Sequence, residues 1–287
     1  MTLLVGSTTT GEFIENTLVK GSASKKIAVV NLVGVIESSS SEEIRLLSDA
    51  IAQDNTIHAI ILRISSPGGT VSASDQIHYY ITKLRQKTGL PVLAFMQSIA
   101  ASGGYYSAVA CNSIMAEPTT ITGSIGVIMN HIVIKDLLEQ KLGIQPQVLK
   151  SGQRKDWPSM FSEMTEEQKQ YLNEKLIGPA YERFVSLVCQ GRQNLTPDQV
   201  RALADGSIYT AEEAKFKGLI DEIGYFEDAV SMAEQMAGIS NARVVEFERQ
   251  SSWMDMLGAE SRKSVIDTKL LEKLAIPQLM YLWDGRN

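Results

Sequence analysis

An α/β fold of parallel strands with crossover helices is predicted by three features of the sequence. Apolar runs rich in Val and Ile recur, and most are followed by a stretch with helical spacing. These runs are nearly continuous in apolar character rather than alternating, as strands covered on both faces should be. Two consecutive runs end in small-residue turns, "SSPGG" at 65–69 and "ASGG" at 101–104.

Residues 1–24 are polar for the most part and read as a lead-in to the first strand, "KKIAVVNLVGVI" at 25–36. "SSEEIRLLSDAIAQD" follows as a Ser-capped helix with Ile44, Leu47, Ile51 and Ala52 on one face. "IHAIILRI" at 57–64 is a second buried strand, "TVSASDQIHYYITKLRQK" a helix, and "PVLAFM" at 91–96 the third strand. The alternation continues through "NSIMAE", a helical "VIKDLLEQKLG" and a strand-like "QPQVLKSG". From Thr165 helices dominate. "TEEQKQYLNEKLIGPAYERFVSLVCQGR" is one long helix opened by Thr165 with Gln168 three residues on, the spacing of a capping box. "TPDQVRALADG", "TAEEAKFKG" and "YFEDAVSMAEQMAG" are shorter helices, and "ARVVEFER" at 242–249 is a late strand. The main domain is therefore placed at 25–249, with 250–287 as a tail of helix and loop.

The 287 residues carry a formal net charge of −6 and no cluster of Lys and Arg, which argues against a nucleic-acid partner. Cys111 and Cys189 stand in apolar stretches and read as buried free thiols. No apolar run reaches the roughly 18 residues of a membrane span, and the start lacks the pattern of a secretion signal, so the chain as given is expected to be soluble. No P-loop, metal-binding His pair or dinucleotide fingerprint appears, and no cofactor is expected. "NLT" at 194–196 reads as a helix cap rather than a glycosylation acceptor.

In a parallel sheet the two glycine turns emerge on one side, at the carboxyl ends of their strands, where ligands bind. Ser102 stands at a predicted helix start and is a candidate nucleophile; tight strand–helix packing also accounts for the small residues around it. The amides of Gly103 and of Gly68 or Gly69 are candidate donors to a developing oxyanion. A serine needs a base. His58 and His78 read as structural, while His131, Lys150 and Lys155 remain open as bases. A lysine serves when burial lowers its pKa from about 10.4 towards 7 or 8. Asp156 beside Lys155 opposes such a shift unless the two side chains point apart.

Taken in order, "SPGG", "AASGGYY", "TGSIGVIM", "SGQRKD" and "GSIYTAEEAKFKGLIDEIG" resemble the signal peptide peptidase A (protease IV) family over roughly residues 25–250. The resemblance implies the fold shared with Clp protease and the crotonases, and a Ser–Lys dyad. It implies Ser102 as nucleophile and Lys155 as general base, with Ser124 of "TGSIG" orienting the lysine. Gly69 and Gly103 match the oxyanion donors, with Gly68 as the neighbouring alternative. It further implies peptide substrates such as signal-peptide remnants and apolar segments, a homo-oligomeric ring because one domain supplies only part of the site, and attachment to the outer face of a cell membrane. Competing readings are a Clp-like Ser–His–Asp peptidase using His131, a crotonase-like acyl-CoA enzyme and a non-catalytic assembly protein. An extended substrate is expected to pair with the loop around "SPGG" and with the strand before "TGSIG". Leu279 to Trp283 form an apolar row near the chain end, which is expected to cover the subunit's own core or to dock on a neighbour near its peptide groove.

Overall fold

The computed structural model describes residues 9–10, 13–249, 278–283 and 285. The chain opens with β1 (Thr9–Thr10), β2 (Phe13–Val19) and β3 (Ser22–Val33), then helix α1 (Ser38–Ile51). Next come β4 (Ile57–Ser66), β5 (Gly68–Thr70), α2 (Val71–Thr88), β6 (Val92–Ala101) and α3 (Gly103–Ala108). Three short strands follow, β7 (Ser113–Ala116), β8 (Ile121–Gly123) and β9 (Ile128–Met129). Beyond an arm at 130–164 lie α4 (Glu166–Leu172), α5 (Gly178–Gly191) and α6 (Pro197–Leu203). The chain closes through β10 (Ile208–Thr210), α7 (Ala211–Phe216), β11 (Glu222–Ile223), α8 (Phe226–Ala237), β12 (Ala242–Arg249) and β13 (Leu279–Leu282).

The expected α/β architecture is present. Strands β12, β3, β4, β6, β7 and β11 pair in parallel, in that order across the main sheet, with β2 and β1 added antiparallel at one side. Helices cover both faces. On one, Leu47 and Ile51 of α1, Ile77 and Ile81 of α2 and Val188 of α5 pack against Val30, Leu62 and Met96. On the other, Ala229 and Ala233 of α8 lie against Ile27, Val29, Ile61 and Phe95. Alanines on α8 let its backbone approach the sheet, which explains why these strands are apolar on both sides.

Four expectations are corrected. Part of the supposed lead-in is strand: β2 runs antiparallel to β12, with Phe13 buried opposite Arg249. Its polarity hides it, because Glu15 is a buried partner of Lys26 rather than a solvent-facing residue. The cap of α1 is Glu37, reciprocated by Ser40, not the serine run itself. "VIKDLLEQKLG" forms little more than a π-helical turn at Leu137–Lys141, and 145–150 forms no strand. Tail residues 250–277, expected to be helix and loop, lie outside the described residues; 279–282 form a strand.

The long helix expected from Thr165 does open with the reciprocal Thr165–Gln168 capping box. It widens at Asn173–Ile177 into a π-helical turn. Pro179 has no N–H to continue the ladder, and the Gly178 N–H instead reaches back to the Asn173 carbonyl.

Arg192, just past α5, ties this helical layer to the sheet. Its guanidinium donates to both carboxylate oxygens of Asp221 at 2.7 and 2.9 Å and to the Gly218 carbonyl at 2.8 Å. Asp221 also accepts from the Ile114 N–H and the Ser113 hydroxyl of β7. Burial alone would push the Asp221 carboxyl up, but these donors outweigh it and hold its pKa below the usual range. A carboxylate held low stabilises the fold above its unfolded pKa and stops doing so as pH falls through the folded one. Asp221→Asn is therefore expected to cost on the order of 3 kcal/mol at pH 7, because Arg192 is left buried without its counter-charge. In denaturant titrations the deficit relative to the parent should be full above about pH 4 and shrink below it. Equal stability of the two at pH 7 would show that the pair contributes nothing.

Candidate active site

Strand β6 builds the site by changing partners. Its first half pairs with β7, from Leu93↔Ser113 to Met96↔Ala116; its second half pairs with β8, from Ile99↔Ile121 to Ala101↔Gly123. The switch falls at Gln97–Ser98, where Ser98 takes a left-handed φ of 55°. Because Ala101 lies opposite Gly123, the next residues, Ser102 and Ser124, leave the sheet side by side.

Ser102 is 1% exposed and sits at φ 53°, ψ −112°, a conformation that costs a non-glycine residue roughly 1–3 kcal/mol. Backbone bonds hold it there: its N–H donates to the Gly123 carbonyl and its carbonyl accepts the Tyr106 N–H, both at 2.8 Å. This sharp strand-to-helix turn presents a side chain at the sheet's edge. Ser124, also at positive φ (49°), is fixed by its N–H to the Ser207 carbonyl at 2.7 Å. Both serines open on a cavity of about 500 Å³ lined further by Ile128, Asn130, Tyr181, Asp205, Leu282 and Trp283.

The small residues around Ser102 serve packing and approach at once. A Cβ on Gly103 would lie 2.5 Å from Ser74 Oγ and 3.1 Å from both Gly68 Cα and the Gly69 nitrogen. One on Gly104 would meet the Ser66 carbonyl oxygen at 2.9 Å. Gly68, at φ 102°, has no room for a side chain against the Gly103 nitrogen at 2.7 Å. Gly68, Gly69 and Gly103 are thus brought together beside Ser102.

The candidate bases are not. Lys155 lies exposed on a turn of the arm, its N–H bonded to the Gly152 carbonyl, and it does not line the cavity. Lys150 donates to Asp156 at 2.8 Å, so the carboxylate next to Lys155 in sequence is engaged elsewhere. His131 is half-buried, with Nε2 unpartnered, and lines no part of the cavity. His58 Nδ1 bonds the Thr56 carbonyl, and His78 packs edge-on to Tyr106; burial pushes the His78 imidazole down to about 4. Both behave as structural residues. Among the described residues, no Lys, Arg or His faces the cavity that holds Ser102.

The tail strand β13 lies between the two glycine turns' strand β5 and strand β9, antiparallel to each. Tyr281 pairs with Gly69, and the Trp283 N–H donates to the Pro67 carbonyl at 2.9 Å. Tyr281 is fully buried, stacked on Tyr106 and tilted against Phe184, both at 4.8 Å, with its hydroxyl donating to the Ala180 carbonyl at 2.7 Å. The apolar row therefore covers this subunit's own core and fills its own groove. β13 pairs with β5, which follows "SP", and with β9, after Ser124, whereas β8 before Ser124 pairs with β6 and β10. Sequence reasoning missed Asn130, Tyr181 and Asp205 in the cavity wall; they arrive from distant segments and carry no local signal.

Comparison with known proteins agrees with this fold. The profile described as Peptidase family S49 matches residues 84–240. A candidate signal peptide peptidase SppA of Enterococcus faecium is 33% identical over 96% of this chain and 86% of its own length. Protease 4 of Haemophilus influenzae is 38% identical over 74% of this chain, which spans 35% of that larger protein. Among solved structures, the 1510-N membrane-bound stomatin-specific protease shares the fold at a TM-score of 0.50 and 17% identity, covering 79% of this chain and 99% of its own. Since the profile covers more than half of the chain and the Enterococcus faecium relative matches nearly all of it, the chain belongs to peptidase family S49, the signal peptide peptidase A and protease 4 family of serine peptidases.

Proposed function

We propose that this peptidase is an endopeptidase with a Ser102–Lys155 dyad, acting on signal-peptide remnants and other apolar peptides, and that the dyad is completed between subunits of a homo-oligomeric ring. One observation carries the reading: Ser102 is strained and buried where two glycine turns meet, yet among the described residues no basic side chain of its own subunit lines its cavity. Lys155 sits on an arm that exposes Ile132, Leu137, Leu142, Ile144, Val148 and Leu149. So much apolar surface on one segment favours burial against a second copy, which would carry Lys155 to a neighbour's Ser102. Ser124, beside Ser102, would receive and orient the amine.

In the proposed reaction Ser102 Oγ attacks the scissile carbonyl as its proton passes to the neutral lysine amine. The negative oxygen is stabilised by the Gly69 and Gly103 amides. Collapse expels the amine product with that proton, and water then repeats the sequence on the acyl-enzyme. A substrate would lie extended between β5 and β9 in the place that β13 takes in this structure, so β13 would have to leave the groove first. A membrane-attached enzyme would meet such apolar peptides where they are released. Among the described residues no helix is long and apolar enough to cross a membrane.

Ser102→Ala and Lys155→Ala should each abolish peptidase activity, the first with stability within about 1 kcal/mol of the parent. Mixing the two inactive variants after dissociation and reassembly should restore part of the activity, since some sites would pair an intact serine with an intact lysine. Retained activity in Ser102→Ala would sink the nucleophile, and failure of mixing to restore any would sink the shared site.

A second experiment separates lysine from the Clp-like alternative. A base works only when deprotonated, so a lysine-dependent rate rises with pH to an alkaline optimum. A rate that follows a group near 6.5 and is lost in His131→Ala would establish the histidine reading instead.

A further inference from the structure

The two glycines of "SPGG" are not equivalent, and a buried hydroxyl decides between them. Ser66, the last residue of β4, is fully buried. Its Oγ accepts the Gly68 N–H at 3.0 Å across Pro67, a two-residue side-chain turn, while its contact to the Gly68 carbonyl is long at 3.5 Å. Pro67 itself has no N–H. On the next two residues, the Gly68 carbonyl accepts the Ile36 N–H at 2.8 Å and the Thr70 N–H donates to the Ile36 carbonyl at 2.9 Å. Both bonds run to the same side of β5. Successive N–H and C=O groups of an extended strand alternate sides, so those of Gly69 face the opposite way, into the groove where β13 sets Tyr281 against them. The Gly68 and Thr70 amides are thus committed within the turn, whereas the Gly69 amide faces the groove beside Gly103, where β13 is its partner in this structure and a substrate would take that place.

We propose that the Ser66 hydroxyl is a positioning group for the oxyanion site, an assignment that rests on Ser102 being the nucleophile. Ser66 touches no substrate. It gives the buried Gly68 N–H its acceptor and so fixes the peptide planes from Pro67 to Gly69. Gly68, at φ 102°, has no side chain to restrict it. Without the hydroxyl, the turn would rotate to find another acceptor for that N–H and carry the Gly69 amide away from the developing charge. The loss would fall on the transition state rather than on ground-state binding.

The test is the rate of Ser102 modification by diisopropyl fluorophosphate, small enough for the cavity, on the full-length protein. Serine oxygen bonds to phosphorus, fluoride leaves, and the phosphoryl oxygen takes the place of the carbonyl oxygen. Ser66→Ala, checked for folding by thermal melting, should lower the maximal labelling rate by roughly tenfold, below the loss for deleting a whole donor. The reagent's apparent affinity should stay within about twofold. A folded Ser66→Ala labelled at the parental maximal rate overturns the assignment. If Ser66→Ala does not fold, Ser66→Cys keeps the shape with a weaker acceptor; a lowered maximal rate supports the assignment and a parental one overturns it. A parent unlabelled at Ser102, with labelling no different in Ser102→Ala, would overturn the nucleophile reading and this assignment with it.

Discussion

Backbone meets backbone where Gly68 and Gly103 touch, and the arrangement around Ser102 depends on that contact. A side chain on either would fall within about 3 Å of the other's main chain. The approach is possible because β4 and β6 are adjacent parallel strands that end together, Ser66 opposite Ala100, so the turns that follow are thrown against each other. Crowding continues into α3, where Gly104 rides on the Ser66 carbonyl, and beneath it, where Ser74 fills the space under Gly103. Two strand-end turns thereby become a single unit with amides on one side and Ser102, the proposed nucleophile, at its edge. The strain at Ser102 is tolerable because the surrounding main-chain bonds leave it no better conformation.

Register carries the same constraint outward. Were β6 to continue along β7 without its irregularity at Ser98, Ala101 would not reach Gly123, and Ser102 and Ser124 would be separated. A one-residue slip would also turn Ala100 and Ala101, both fully buried, towards the wrong faces. Apolar residues on both faces of β6 make that slip expensive, since Met96 and Phe95 belong to opposite layers of the core. The two-faced core is thus what keeps two serines from different strands in one cavity.

Much of this was legible in the sequence where local signals decide. Continuous apolar runs marked β3, β4 and β6, glycine turns marked the ends of β4 and β6, and Thr165 and Thr196 announced their helices through capping boxes. Legibility failed where partners are distant. Glu15 looks like a surface residue until Lys26, which it shares with Asp54, is seen to meet it. β9 and β13 are too short to signal anything alone and exist because they pair with each other and with β5. The arm misled in the other direction: its spacing of Leu and Ile is helical, but the residues remain exposed and gain no packing to stabilise a helix.

The division between a buried serine and an exposed lysine has an energetic logic. A lysine in water is protonated and useless as a base; bringing its pKa from about 10.4 to near 7.5 costs about 4 kcal/mol at 1.36 kcal/mol per unit. A single subunit that buried such a group in its own core would bear that cost in its folding stability, which for a domain is only some 5–15 kcal/mol. On the proposed assembly the cost falls on association instead. It is offset by burying arm residues such as Leu142 and Leu149, each worth about 1.5–3 kcal/mol when fully covered. The same step would desolvate the base and complete the site, so an unassembled subunit would carry a formed nucleophile and oxyanion turn without the means to ionise the serine. Activity would then be a property of the assembled enzyme, and the fold of each subunit would not bear the cost of burying its own base.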